Sequence, residues 1–470
     1  MKKILALLVA MMMVMLVVAC GNNGGTADTP DEPHAAGVAD NGGADETEAV
    51  DTPAIADGEE VSLTFMHFWD RDGEHHNPEP SAFFVLVEEW REANPNIEII
   101  ESTMSHDDFL ILAQTQAAAN DLPDMFFMRA QWLHTWRESG LLADLGAYIT
   151  AMDRYDQWSP GILDEMRIGD SIYGLPINGQ LCTSVVFYNV EFWRDAGFET
   201  FPNTWEEVRQ AQMHFEEQGL YTFVLGNQDR WVLTNAWVPI IGYRFMGEDW
   251  VDGIVNLDGT ANFTDPGFLE LLEWVEELGQ SGVLNPDFNS IANNLGYDLF
   301  GQGQSATVAA GSWAVSHFID TADEEVLENI RLAVLPQVTG PLVGNARSTT
   351  STTGWFVSVN NHLEGARREA AIQFLLDIYA SEKFSEMITA EGAPAPMITG
   401  DVDISGLHPL RQEFIEFMSD TTITHALVWD MVITPALMDE INIVSQEVSG
   451  GSMTPEEGVR RLQETLESLW

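Results

Sequence analysis

Five side chains early in the chain have types that could hold a metal: His67, Asp70, Asp72, His75 and His76. A metal site needs ligands that converge in a fixed geometry. This group sits beside Gly73 and Pro78 with no recognised ligand spacing. The reading is a solvated loop, with no metal and no cofactor expected. The nucleophile elbow, the phosphate-cradling loop, the zinc-protease helix and the dinucleotide fingerprint are all absent from the sequence. With 74 acidic residues, carboxylate pairs arise by coincidence, so they do not argue for a glycosidase. No catalytic residue is expected.

A different chemistry is better supplied. The chain has 15 Trp, and several stand next to hydrogen-bonding side chains just after strand-like runs. Trp69 and Asp70 follow the first such run. Arg129, Gln131 and Trp132 follow the run at Met125, and Asn227, Asp229 and Trp231 follow Tyr221 to Leu225. Ligands of open α/β sheets sit at the carboxyl ends of strands. An aromatic face beside carboxylate, amide or guanidinium groups suits a molecule with apolar C–H faces and a rim of hydroxyls, that is, a sugar. Trp90, Trp136, Trp158, Trp193, Trp205 and Trp274 fall in or at the ends of helical patterns and read as packing residues. Trp237, Trp250 and Trp429 fit either role.

The elements that must position these groups alternate between strand and helix. Strands are expected at Val61 to Phe68, Ile97 to Glu101, Met125 to Met128 and Val185 to Tyr188. Helices are expected at Ser81 to Ala93, Asp107 to Ala119, Glu191 to Ala196, Thr204 to Gln218, Phe268 to Gly279, Arg367 to Tyr379 and Pro455 to Leu469. Thr204-Trp205-Glu206-Glu207 is a capping box. Thr454 caps the last helix, with Pro455 at its first position. Such alternation argues for an α/β fold, with parallel or mixed sheets covered by helices.

The N-terminus carries an expectation for the compartment. Lys2 and Lys3 precede an apolar run, Ile4 to Leu16, that is too short and too terminal for a membrane span and reads as a secretory leader. Leu16-Val17-Val18-Ala19-Cys20 followed by Gly21 resembles a bacterial lipobox, which implies cleavage after residue 19 and lipidation of Cys20. Residues 20–60 are acidic, Gly- and Ala-rich and free of aromatics, so they cannot offset their own ordering entropy and read as a tether. The formal charge is −54. Nucleic acid and bare anionic lipid surfaces would be repelled, which leaves a covalent anchor as the route to the membrane. After the leader, Lys383 is the only lysine, and the acidity fits a salty or alkaline habitat as well as it fits a composition bias. Cys182 then stands alone, so no internal disulfide forms, and it reads as a small buried hydrophobe.

Six motifs in order resemble the extracellular solute-binding proteins of ABC importers, the group that includes maltose- and oligosaccharide-binding proteins. They are Leu122-Pro123-Asp124-Met125, Ser139-Gly140-Leu141-Leu142, Ile172-Tyr173-Gly174-Leu175-Pro176, Val186-Phe187-Tyr188-Asn189 with Ala196-Gly197, Pro202-Asn203-Thr204-Trp205-Glu206-Glu207, and Gly303-Gln304-Ser305-Ala306 through Gly311-Ser312-Trp313-Ala314. Val190, and Thr307-Val308, depart from the usual pattern. The resemblance implies a two-lobed periplasmic-binding-protein fold (type II-like) with hinge strands. One lobe would span 61–177 plus 348–398, and the other 178–347 plus 399–470. It also implies a ligand cleft in which Ser312 and Trp313 meet the sugar, Trp355 faces the cleft from a strand start, Asn178 and Gln180 lie at the hinge, and Gln131 stands where relatives carry an Asp. The implied partners are a small-molecule solute, a mono- or oligosaccharide, and the transmembrane subunits of an ABC permease, with the protein acting as a monomer. Rival readings are a binding protein for a polyamine, peptide or cation, an extracellular glycan hydrolase, and a sensor that reports a sugar to a membrane kinase.

Overall fold

The structure, a computed structural model, describes residues 60–71, 77–398 and 404–469. The leader, Cys20 and the tether through residue 59 lie outside the described residues, as do Asp72, His75 and His76.

The alternating run Val61–His67 buries every second residue at its start and forms a parallel ladder with Ile97–Thr103 (Val61 opposite Ile97). Met125–Arg129 joins its other edge, also parallel. Trp355–Val359 then adds antiparallel, with Trp355 opposite Arg129, and Leu175–Pro176 closes a five-stranded mixed sheet. Met125–Arg129 and Trp355–Val359 are buried along their whole length, because helices cover both faces of the sheet. The helices Pro78–Ala93 and Gly365–Tyr379 pack on it through Phe83, Leu86, Trp90, Phe374 and Ile378. Lys383, from the helix Glu382–Ala390, donates to Glu89 of the first helix at 2.6 Å. Among the described residues Lys383 is the only lysine.

A second body is built on Val185–Asn189, flanked antiparallel by Thr307–Ala310 and Ile330–Ala333. Helices Trp205–Gln218, Pro266–Gln280, Pro435–Ser449 and Pro455–Glu467 surround it. The capping boxes at Thr204 and Thr454 both form. Trp193, Trp205, Trp237, Trp250 and Trp429 are buried in this core. Cys182 is buried beside it, and burial pushes its thiol up to about 12.

The first core draws on residues 61–177 and 355–397, the second on 182–338 and 410–466. The chain therefore crosses between the two bodies three times. Two crossings lie side by side: Leu181 and Thr352 exchange backbone hydrogen bonds at 2.7 and 3.0 Å, and Thr183 and Thr350 share a hydroxyl contact at 2.6 Å. Ser348–Ser351 pairs in parallel with Thr424–Leu427, so a further segment of the second body braces the crossing. Among the described residues no helix is long and apolar enough to cross a membrane.

The charge of −54 makes one prediction for this architecture. Like charges crowd together on folding and destabilise the compact state, and salt screens them. Raising ionic strength from about 0.01 M to about 1 M shortens the screening length from roughly 30 Å to 3 Å. The midpoint of thermal unfolding should climb steadily across that range of sodium chloride. A flat or falling midpoint would show that the acidic surface is already compensated.

Candidate ligand-binding site

A cavity of about 1120 Å³ lies where the two bodies face each other. The carboxyl ends of Val61–His67 and Met125–Arg129, and the N-terminus of Trp355–Val359, deliver Phe68, Trp69, Arg129, Gln131 and Trp355 to one wall. Trp231, Ser312 and Trp313 come from the other body, and Asn178 lies on the first crossing. The structure thus brings these side chains and their neighbours into one concavity.

Their environments differ. Trp231 and Trp313 are partly exposed, with ring centroids 6.1 Å apart and planes at 56°. The Trp313 indole N–H donates to Tyr297 Oη at 3.0 Å, and its ring lies directly on Gly311, where a Cβ would stand only 2.2 Å from it. Tyr297 is buried, which pushes its phenol up to about 12 and keeps it a neutral partner. Trp355 is 9 % exposed and packs against Phe68 (4.7 Å), His106 (5.6 Å) and Phe109 (5.6 Å). Trp69 touches the cavity, but most of its ring is in the core, against Phe127 at 4.7 Å and Phe83 at 5.4 Å. Asn178 Oδ1 accepts from the Trp355 backbone N–H at 3.4 Å.

Trp132, buried and stacked on Trp136 with ring centroids 4.6 Å apart, and three further sequence-indicated residues are not brought into the cavity. Asp70 and Gln180 are exposed outside it. Asn227 is fully buried and spent internally: its amide N–H donates to Asn289 Oδ1 at 2.7 Å, and its Oδ1 accepts from Leu233 N–H at 3.1 Å. An Asn after a strand looks like a ligand group in sequence, but here it ties a loop together. His67 also turns inward, its ring packed among Phe65, Phe83 and Phe127, with burial lowering its pKa.

Sequence reasoning missed the group that governs Arg129. Its guanidinium grips Asp430 with both terminal nitrogens, Nη1 to Oδ1 at 3.2 Å and Nη2 to Oδ2. Asn235 Nδ2 also donates to Asp430 at 3.2 Å. Arg129 and Asp430 are 7 % and 5 % exposed. Asp430 belongs to the short helix Trp429–Val432 of the second body, so the pair bridges the two bodies at the cleft. The guanidinium also stands 5.2 Å from the Trp355 ring centre.

Some polar atoms have no protein partner. Ser312 Oγ and Gln131 Oε1 are enclosed and make no hydrogen bond among the described residues. Enclosed polar atoms left unpaired are costly, and a polar ligand in the cavity would supply these two with partners.

At the cleft edge, burial pushes the Glu79 carboxyl up to about 7, against the pull of Arg411. Between its ordinary 4.5 and about 7 the folded state holds this proton while the unfolded chain has released it. Stability from this group is therefore lost as pH rises through that window. Glu79→Gln should flatten that part of the stability–pH curve, read by urea unfolding at several pH values. An unchanged slope would refute the assignment.

Comparison with known proteins agrees with this geometry. Residues 86–401 match the family described as bacterial extracellular solute-binding protein. The chain is 24 % identical over 447 residues to an arabinooligosaccharide-binding protein of Halalkalibacterium halodurans, covering 89 % of this chain and 92 % of that one. In fold it is similar to a chitin oligosaccharide binding protein, with a TM-score of 0.77, 21 % identity and coverage of 87 % and 99 %. It is also similar to a sugar transporter protein of Bacillus licheniformis solved with stachyose, with a TM-score of 0.68, 20 % identity and coverage of 87 % and 100 %. These neighbours share the two-lobed binding-protein fold with hinge strands. On its sequence match and its architecture, the chain belongs to the bacterial extracellular solute-binding protein family.

Proposed function

We propose that the protein captures an oligosaccharide outside the cytoplasm and hands it to an ABC permease. The observation that carries this reading is the cavity itself: about 1120 Å³, with indole faces from both lobes and enclosed polar atoms awaiting partners. Pockets for small ligands run from roughly 300 to 1,000 Å³, so this one has room for several linked sugar rings. The names of the similar proteins, with arabinooligosaccharide, chitin oligosaccharide and stachyose, support the same ligand class.

In this reading Trp231, Trp313 and Trp355 stack on sugar faces, while Ser312, Gln131 and Asn178 bond hydroxyls. Trp69 supports the aromatic wall, and Arg129 holds it together through Asp430. Binding favours the closed arrangement because both lobes contribute contacts that exist together only there. The protein acts as a monomer, tethered through lipidated Cys20, and does not cleave its ligand. The leader and lipobox pattern supports the tether.

The test is a thermal-shift and calorimetric screen of the mature protein against mono- and oligosaccharides, amino acids, polyamines and metal ions. A ligand at about 100 times its Kd stabilises the folded state by roughly 2.7 kcal/mol. An oligosaccharide hit, recovered chemically intact, is the expected outcome. Hits confined to amino acids, polyamines or metals, or a sugar recovered cleaved, would overturn the reading.

A further inference from the structure

Asn235 lies on the helix Trp231–Ala236 of the second lobe, lines the cavity, and is 4 % exposed. It comes four residues after Trp231, so its side chain and the Trp231 indole leave the helix on the same face, about one turn apart. Its amide nitrogen is fully used: Nδ2 donates to Trp231 O at 3.1 Å and to Asp430 Oδ2 at 3.2 Å. These two acceptors fix which way the amide faces, because a flipped amide would set its oxygen against a carbonyl and a carboxylate. Oδ1 is therefore turned away from both. It has no hydrogen-bond partner among the described residues and, unlike Ser312 Oγ, is not closed off by protein. The open space that Asn235 meets is the cavity.

The surroundings hold this acceptor still. Asn235 O accepts from Thr183 Oγ1 at 2.9 Å, and Thr183 Oγ1 in turn lies 2.6 Å from Thr350 Oγ1, where two crossings between the lobes run side by side. The nearby charges are spent on each other. Asp430 takes Arg129 Nη1 and Nη2 as well as Asn235 Nδ2. The ion pair is neutral as a unit, so this part of the wall offers the ligand a fixed, uncharged acceptor. An acceptor that a ligand covers without supplying a donor loses its water and gains nothing, which costs affinity.

We infer that Asn235 is a specificity-determining residue of the cleft, its Oδ1 accepting from one free hydroxyl of the sugar ring that stacks on Trp231. This deepens, and rests on, the carbohydrate reading. Removing, methylating or fluorinating that hydroxyl leaves Oδ1 covered by ligand without a donor, so sugars altered there are rejected.

The experiment is titration calorimetry of the full mature protein with arabinotriose, chitotriose, maltotriose and stachyose, each also prepared with one hydroxyl at a time replaced by fluorine. Fluorine is small and cannot donate. At one position the replacement should weaken binding about tenfold, ~1.4 kcal/mol. In Asn235→Leu the parent sugar should bind more weakly, and the hydroxyl-to-fluorine ratio at that position should fall to about one while the ratios elsewhere stay as they were. Asn235→Asp keeps an oxygen on the cavity side, so there the ratio should persist. Circular dichroism checks folding, and Asn235→Ala reads the same ratio where Asn235→Leu does not fold. A merely structural Asn235 would lower affinity for parent and fluorinated sugars alike and leave the ratio standing in Asn235→Leu. That result overturns the inference and leaves the carbohydrate reading intact, as does a sugar that binds with no position sensitive to fluorine. If none of the four sugars binds, the inference falls, and the wider screen alone decides the carbohydrate reading.

Discussion

Asp430→Ala should destabilise the protein by about 3–5 kcal/mol, the cost of leaving a buried charge without its partner. Arg129 is 7 % exposed, and its fork has Asp430 as its ion-pair partner. Asp430 also receives Asn235 Nδ2, so its loss leaves that amide only its bond to Trp231 O. The effect should exceed truncation of an exposed ion pair such as Arg154–Glu382, which is worth about 0–1 kcal/mol. Replacing both partners with apolar groups of similar volume, Arg129→Met with Asp430→Leu, should recover much of the loss. The burden lies in the unpaired charge, not in the absence of the pair. Urea unfolding of the three variants distinguishes the cases. A single-substitution loss below about 1 kcal/mol would mean that the guanidinium finds water or Asp439 instead.

Trp313→Ala should weaken oligosaccharide binding about 30-fold or more, because truncating a central aromatic anchor costs about 2 kcal/mol or more. The ring is partly exposed, so folding stability should change much less than affinity. Gly311→Ala offers a subtler test. A methyl at residue 311 would sit 2.2 Å from the Trp313 ring, so the indole must leave its present place and give up its bond to Tyr297. Affinity should fall in the same direction, although every side chain that touches ligand is intact. Calorimetry against the oligosaccharide found by screening reads both. Affinity unchanged in Trp313→Ala would remove this ring from the site.

Local patterns reached the elements better than they reached the site. Val61–His67 was legible because one face is buried from its start, and Thr204 because a capping box is complete within four residues. Trp355–Val359 carried no such local signal, and only the family resemblance placed a strand start at Trp355. Its five residues are all buried and so show no alternation, and its partners lie at Met125–Arg129 and Leu175–Pro176, far away in sequence. The same distance hid Asp430, whose meaning comes from Arg129, 301 positions earlier. Asn227 misled for the opposite reason: residue type and position suggested a ligand contact, but both ends of its amide are consumed inside the fold. Trp231 and Trp313 were readable as aromatic residues at loop ends. That His106 and Trp231 come together across the mouth depends on how two lobes face each other, which no local window contains.

Lys383 has a practical consequence. Its ammonium is half exposed, sits on Glu89, and joins two helices of the first lobe without lining the cleft. Among the described residues it offers a single primary amine for chemical coupling. A dye or a sensor surface attached there would hold every molecule in one orientation with the mouth unobstructed.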